Sequence, residues 1–120
     1  MHDSWIHAYC LAKAGTDVEF KFEWEASLYR VGGKMFALLG ENKEKKPILS
    51  LKLEPSYGVL LREMYPCIQP GYYLNKVHWN SIEIENHLGD AFMKELIDQS
   101  YAIISASLPI KVQKALGINL

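Results

Sequence analysis

Strict alternation of apolar and polar residues dominates the first half of the chain and is typical of strands that bury one face. Residues 18–24 and 48–53 alternate in this way, and the apolar runs 27–31 and 35–39 are joined by a glycine pair at 32–33. Paired glycines supply the positive φ angles that a tight hairpin requires. Connections this short cannot cross over between parallel strands, so the pattern predicts an antiparallel meander of four strands.

Helical spacing of apolar residues marks three further segments. Apolar residues recur every three or four positions over residues 4–14, 55–65 and 90–107, and Pro109 begins a short terminal helix. The second helix is expected to bury an apolar stripe formed by Val59, Leu60 and Met64.

A later segment, residues 77–85, alternates again but changes phase at Asn80-Ser81, which predicts a bulge or bend there. Residues 66–71 are expected to form a loop. The full order is then helix, four strands, helix, one or two strands and two helices. This order predicts a single α+β domain over residues 1–120, a two-layer sandwich with a largely antiparallel sheet and helices against one face.

Most aromatic residues fall on positions that the periodicity assigns to the core. This set is Trp5, Tyr9, Phe20, Phe22, Trp24 and Trp79. Tyr72 and Tyr73 differ because they occupy a loop that enters a strand, where a ring could stack on a ligand.

The composition, with 49% hydrophobic and 22% charged residues, is typical of a soluble globular protein. The N-terminus lacks the pattern of a signal peptide, and no apolar run is long enough to span a membrane, which predicts a cytoplasmic protein. Cys10 and Cys67 lack the spacing of a disulfide framework or zinc site, so both are expected to be reduced and at least partly buried.

Charge is distributed unevenly although the net charge is only −1. Residues 30–52 contain six Lys and Arg against two Glu, whereas the segments on either side are acidic. A basic patch of this kind can bind phosphates on an otherwise neutral domain. A solvent-exposed hairpin gives the same pattern, so both interpretations stay open.

Signatures of catalysis and cofactor binding are absent from the sequence. The Gly32-Gly33 pair belongs to a hairpin rather than to a phosphate loop, and the four histidines show no metal-ligand spacing. Cys10 and His78 form a nucleophile and base only if the fold brings them together. The sequence therefore predicts no catalytic residue, no metal and no cofactor.

One set of short motifs resembles a known family. They are Ser50-Leu-Lys-Leu-Glu-Pro55, Leu61-Arg-Glu63, Tyr65-Pro66, Pro70-Gly-Tyr-Tyr-Leu-Asn-Lys-Val-His-Trp79 and Ser100-Tyr101. Together they are similar to the MmcQ/YjbR-like family of small bacterial proteins over roughly residues 4–116. The resemblance implies a secretion-chaperone-like sheet with flanking helices. It also implies DNA binding through a double-wing motif, in which the sheet and its hairpins face the duplex.

Two functional hypotheses follow, and both are non-enzymatic. In the first, the protein binds DNA through cations of the basic segment and of the motif at 70–79. These residues are Arg30, Lys34, Lys43, Lys45, Lys46, Lys52 and Lys76. In the second, a pocket beside the same motif receives a protein segment or a small anionic ligand. Its residues are Tyr73, Asn75, Lys76, His78 and Trp79.

A purely structural role for the motif competes with both hypotheses. Asn75 and His78 would then fix the loop by hydrogen bonds, while Leu74 and Trp79 would pack in the core. The oligomeric state is left open by the sequence.

Overall fold

The computed structural model describes residues 4–86 and 88–118, and the chain folds there into six strands and four α-helices. In chain order the elements are α1 Ser4–Leu11, β1 Thr16–Lys21, β2 Ala26–Val31, β3 Lys34–Glu41, β4 Pro47–Lys52, α2 Pro55–Met64, β5 Ile68–Pro70, β6 Trp79–Glu83, a one-turn 3₁₀ helix Ile84–Asn86, α3 Asp90–Ala106 and α4 Ile110–Ala115. No helix among the described residues is both long and apolar enough to cross a membrane.

The strands form one sheet in the order β1-β2-β3-β4-β6-β5, and every neighbouring pair is antiparallel. The predicted α+β architecture with an antiparallel meander is confirmed. The Gly32-Gly33 turn is also confirmed, because both glycines have positive φ angles, 58° and 82°. The expected loop at 66–71 is wrong in part, since it contains the short edge strand β5.

One face of the sheet is buried beneath the helices. Tyr29, Ala37, Leu51 and Asn80 stand opposite one another across β2, β3, β4 and β6, and all four are fully buried. We call this the helix-covered face and the opposite side the second face.

Contacts from three helices converge on the helix-covered face. In α1, His7 Nδ1 lies 2.7 Å from the hydroxyl of Tyr29. In α2, Gly58 lies against Asn80 so closely that a Cβ atom would come within 3.0 Å of the amide oxygen. Helix α3 contacts β2, β3 and β4. The glycine that disfavours α2 as an isolated helix therefore permits its close approach to the sheet.

A β-bulge interrupts β3. Tyr29 pairs with Ala37 whereas Arg30 pairs with Met35, so Phe36 is the extra residue. Ser100 of α3 bonds at this point: its hydroxyl donates to the Phe36 carbonyl at 2.6 Å and accepts from a β4 backbone amide at 2.9 Å. A helix side chain thus completes hydrogen bonds that the sheet leaves open.

The bulge predicted at Asn80-Ser81 is wrong, because β6 pairs with β4 in continuous register. The phase change instead reflects two buried polar side chains. Asn80 accepts a hydrogen bond from Arg62 of α2 at 2.5 Å, and the hydroxyls of Ser81 and Ser50 lie 2.7 Å apart. Buried polar groups with such partners satisfy their hydrogen-bonding needs, so apolar alternation is not required there.

The core assignment of three aromatic residues is also wrong. Phe20, Phe22 and Trp24 are 51%, 81% and 57% exposed. The strand ends at Lys21, so residues 22–25 form a turn, and β1 is the edge strand of the sheet. Alternation shows that a strand has two different faces, but it does not show that another element covers the apolar one.

Helix α2 exists where the sequence predicts it, but it buries a different face. Val59, Leu60 and Met64 are each about half exposed, whereas Gly58 and Leu61 are buried. A small residue and a leucine three positions apart allow the helix backbone to lie close to the sheet.

Candidate functional site

A groove of about 640 Å³ opens on the second face of the sheet. Its floor contains Ala26, Leu38 and Ile48 from β2, β3 and β4, three neighbouring strands. Gly40 lies beside them, where a Cβ atom would come within 3.0 Å of the Ala26 methyl group. An apolar floor of small and medium side chains therefore leaves room for a bound group.

Aromatic rings flank this groove. Trp24 lies in the turn after β1, and Tyr72 and Tyr73 lie in the segment between β5 and β6. Trp24 is 57% exposed and Tyr73 is 84% exposed, so both rings are available to a ligand. The two tyrosine rings lie 4.2 Å apart between centroids at an angle of 48°. Exposed rings at a groove offer flat apolar faces on which a planar group can stack.

A hydrogen bond links the two tyrosine side chains to each other. The Tyr72 hydroxyl donates to that of Tyr73 at 3.5 Å. This bond, with smaller contributions from desolvation and the Glu44 carboxylate, raises the pKa of Tyr72 to about 12, although the Lys43 backbone N–H opposes the change. The Tyr72 hydroxyl therefore keeps its proton to a higher pH than an ordinary tyrosine does.

Three turns that bound the groove have unusual backbone conformations. Among the described residues, the non-glycine residues with positive φ are Glu25, Lys45 and Tyr73, at 49°, 63° and 62°. All three line the groove. Such conformations cost on the order of 1 kcal/mol or more each and concentrate at functional sites. Their coincidence here singles out the groove as a candidate site.

Charges of both signs line the groove. Lys43 and Lys45 extend from the β3–β4 loop, and Glu23, Glu25 and Glu41 contribute three carboxylates. A bound phosphate chain would therefore meet attraction at the lysine side and repulsion at the glutamates.

The conformation of the β3–β4 loop is set by Asn42. Its side-chain oxygen accepts from the backbone amides of Glu44 and Lys46, each at 3.0 Å. Its backbone N–H donates to the Lys46 carbonyl, also at 3.0 Å. A short polar side chain that bonds to its own loop is typical of tight turns. The loop consequently holds Lys43 and Lys45 at the groove.

The remaining cations of the basic segment lie elsewhere. Lys34 begins β3 and Glu41 ends it, which separates the β2–β3 turn from the β3–β4 loop by about 23 Å. Arg30 donates to Glu19 at 2.6 Å, and Lys34 donates to the Ser107 hydroxyl at 3.4 Å. Lys52 ends β4, at the opposite end from the loop. The six cations that are neighbours in sequence therefore do not form one patch.

The segment 71–79 is held by its own hydrogen bonds. The side-chain oxygen of Asn75 accepts from the amides of Val77 and His78, at 2.9 and 3.3 Å. The Lys76 ammonium donates to the Gly71 carbonyl at 2.9 Å. The polar side-chain groups of Asn75 and Lys76 therefore bond to the backbone of this segment.

A purely structural role for the motif predicts that Leu74 and Trp79 pack in the core, and this prediction is wrong for both residues. Trp79 is half-buried and lies against Gly71, where an added Cβ atom would come within 2.7 Å of the Trp79 Cβ. Leu74 is half-buried and lines the groove beside Tyr73. Of the five residues predicted to bind a ligand, only Tyr73 lines the groove.

Among the aromatic residues of the groove, Trp24 is the one that the sequence pattern places in the core instead. The pattern does so because Trp24 continues the alternation of β1. A signal was nevertheless present, since Trp24 lies between two glutamates and is followed closely by the next strand. A large aromatic in such a polar stretch is as typical of a turn as of a strand.

Neither a metal site nor a reactive cysteine finds support among the described residues. No group of three or more potential metal ligands is found within 4–86 and 88–118. Cys10 and Cys67 are free and buried, as predicted. Burial raises the pKa of the Cys10 thiol to about 12, and the nearby Lys13 ammonium only partly opposes this; burial also raises the pKa of Cys67. A protonated thiol is a poor nucleophile.

We therefore expect native Cys10 to resist thiol reagents. At pH 8, its thiolate population is on the order of a thousandfold below that of an unperturbed cysteine. A Cys67→Ser variant isolates Cys10, and labelling with an aromatic disulfide reagent is expected to be slow until denaturant is added. Rapid stoichiometric labelling of the folded variant would contradict the burial of this thiol.

The six-stranded antiparallel sheet, with helices on one face and a groove on the other, defines a small α+β sandwich. This chain belongs to the YjbR family, whose model matches residues 11–103. It is 33% identical to the uncharacterised protein YjbR of Escherichia coli strain K12 over 108 residues, which cover 90% of this chain and 91% of that protein. It is also 33% identical to the uncharacterised protein YbdF of Escherichia coli O157:H7 over 90 residues, or 75% of this chain and 73% of that protein.

Solved structures are similar over most of the chain. The crystal structure of the Deinococcus radiodurans protein DR2400, with a DUF419 domain, has a TM-score of 0.85 and 28% identity, covering 95% of this chain and 86% of that one. A crystal structure of the Pseudomonas syringae protein PsR293 has a TM-score of 0.74 and 26% identity, covering 87% of this chain and 99% of that one. The resemblance found in the sequence motifs is confirmed for both family and fold.

Proposed function

We propose that this protein is a non-enzymatic DNA-binding protein that holds a single strand in the groove of the second face. The observation that carries the proposal is the position of two exposed rings, Trp24 and Tyr73, at a groove that also exposes Lys43 and Lys45. Proteins that bind single strands combine stacking platforms with cations along the backbone.

The stacking part of the proposal depends on unpaired bases. Each base has a flat π face, and stacking on an aromatic side chain contributes about 1–3 kcal/mol. In a duplex those faces are occupied by neighbouring bases, so Trp24 and Tyr73 would gain little from it. We therefore propose a preference for single-stranded over duplex DNA, which differs from the duplex-facing geometry that the family resemblance implies.

We assign the contacts with DNA phosphates to the lysines of the β3–β4 loop. Lys43, Lys45 and Lys46 are exposed on this loop. Arg30, by contrast, is paired with Glu19, and neither residue lines the groove. The affinity should accordingly depend on a few ionic contacts and should fall as salt rises.

Fluorescence anisotropy with a labelled oligothymidine and the matching duplex tests this proposal. We expect binding to the single strand with a salt slope of about two, because each phosphate contact on a single strand contributes about 0.7. A Lys43→Glu/Lys45→Glu/Lys46→Glu variant should lose this salt-dependent binding. The matched control is Lys111→Glu/Lys114→Glu on α4, which reverses exposed lysines outside the groove. Binding of equal strength in both variants, or no binding at low salt, would refute the assignment.

A second candidate occupant is a peptide segment that carries a basic side chain. The observation that favours it is the presence of Glu23, Glu25 and Glu41 in the same groove. Replacing the three by glutamine distinguishes the candidates. Phosphate binding should strengthen in that variant because repulsion is removed, whereas binding of a Lys-rich or Arg-rich peptide should weaken.

A further inference from the structure

The outer edge of β1 is an open strand edge. β1 is the first strand of the sheet, and Asp17, Val18, Glu19 and Phe20 are all exposed although their side chains alternate between the two faces. An edge strand presents unpaired backbone N–H and C=O groups to any strand that approaches it. The opposite edge is protected, because β5 is only three residues long and ends in Pro70, which has no N–H to donate.

Apolar side chains accompany this open edge. Val18 points to the helix-covered face, because it stands opposite Tyr29 of β2, and Phe20 points to the same face opposite Ser27. Their side chains are nevertheless 38% and 51% exposed. Phe22 extends the patch, with its ring 5.0 Å from that of Phe20. A partner strand that continues the sheet at β1 would cover this apolar patch. The same strand would form hydrogen bonds with the open backbone N–H and C=O groups of β1.

The sequence of β1 is self-complementary in one antiparallel register. With Glu19 of each copy on a two-fold axis, Asp17 of one chain faces Lys21 of the other, and Val18 faces Phe20. Both kinds of pair occur twice, and cross-strand pairs of opposite charge or of apolar residues stabilise antiparallel strands. All these positions lie within the strand as the structure defines it.

The like-charged pair at the axis is compensated within each chain. Glu19 lies 2.6 Å from the Arg30 guanidinium and 3.7 Å from the Lys21 ammonium. Two Glu19 carboxylates would therefore meet with their own cations beside them, which reduces their repulsion.

Two neighbouring registers of the β1–β1 pair also keep each face of one sheet continuous with the same face of the other. Both are less favourable than the register centred on Glu19. Centring the axis on Val18 places Asp17 opposite Glu19, a like-charged pair that occurs twice. Centring it on Phe20 places Glu19 opposite Lys21, which is a favourable pair. It also places Asp17 opposite Glu23, a like-charged pair, and Val18 opposite Phe22, and neither Phe22 nor Glu23 belongs to β1. The register centred on Glu19 pairs five of the six residues of β1, and all of its opposite-charge and apolar pairs lie within the strand.

We propose that β1 is a homodimerisation edge, at which two copies pair antiparallel about Glu19 and join their sheets into one. The contact is isologous, so it closes after two copies. Because residues opposite each other share a face, the grooves of both copies open on the same side of the joined sheet. This inference does not depend on what the groove binds.

Analytical ultracentrifugation over about 10–500 µM protein tests the proposal with charge variants. Wild-type protein is expected to dimerise reversibly in this range. Asp17→Lys places Lys against Lys and Lys21→Glu places Asp against Glu, so each variant alone should dimerise at least about 10-fold more weakly. Asp17 is exposed and Lys21 is partly exposed, and circular dichroism checks that the fold is retained. Glu95→Lys, on the exposed side of α3, is the matched charge reversal and should dimerise like the wild type.

Mixing the two β1 variants gives the decisive result. The Asp17→Lys chain carries two lysines and the Lys21→Glu chain carries two acids at the facing positions, so the mixture should form a heterodimer of about wild-type strength. The proposal is overturned by a wild-type protein that stays monomeric at the highest concentration. A dimer unaffected by either variant, or a mixture that fails to associate, overturns it equally.

Discussion

Replacing Ser100 by alanine is expected to lower the free energy of unfolding by about 2–4 kcal/mol, although only one oxygen atom is removed. This hydroxyl is fully buried, donates to the Phe36 carbonyl and accepts from the Lys52 amide. Both backbone groups lie beside the β3 bulge, where the ladder between β3 and β4 ends. Without the hydroxyl, two backbone groups lose their partner in a site with little access to water.

Urea denaturation followed by circular dichroism measures this effect, and Ser105→Ala is the matched control. Ser105 is buried on the same helix, but its hydroxyl bonds only weakly to the Ala102 carbonyl, at 3.4 Å. The control should change stability by less than about 0.5 kcal/mol. Equal effects of the two substitutions would show that Ser100 contributes packing rather than hydrogen bonds.

Replacing Trp24 and Tyr73 together by alanine is expected to weaken single-stranded DNA binding by at least about 30-fold. Each ring that stacks on a base contributes about 1–3 kcal/mol, and 1.4 kcal/mol corresponds to a factor of ten. Both side chains are mostly exposed, so their removal should leave stability nearly unchanged. The salt slope should also be retained, because no lysine is altered.

The matched control for the aromatic variant is Phe22→Ala. Phe22 is 81% exposed and lies near Trp24 in sequence, but it does not line the groove. Anisotropy titrations of both variants against the same oligothymidine should separate them clearly. If the double variant binds like the wild type, the rings do not stack on bases and the proposed mode of binding is wrong.

Local sequence patterns predicted most of the secondary structure because turns and periodicity are local properties. The glycine pair at 32–33 defined the β2–β3 hairpin, and Pro55 marked the first residue of α2. Helix α3 was predicted to within a residue, since its apolar stripe repeats over many turns. Short elements with little periodicity, such as β5, gave no comparable signal.

The candidate site was predicted much less completely, because it joins residues that are distant in the chain. Trp24, Lys45 and Tyr73 meet only after β2, β3 and β4 have paired and the segment between β5 and β6 has folded back over the sheet. Lys76 and Asn75 were reasonable ligand candidates by residue type. Their hydrogen bonds within the segment depend on backbone conformation, which residue type does not specify.

By itself, the sequence determined the helices, the antiparallel meander and the family, since all three are written in local patterns and short motifs. Only the tertiary structure decided which apolar faces are covered. Phe20 and Leu51 lie on equally regular alternating strands, yet Leu51 is buried in the centre of the sheet and Phe20 is exposed at its edge. The physical reason is that burial depends on which elements pack against a strand, and that packing is set by contacts between distant parts of the chain.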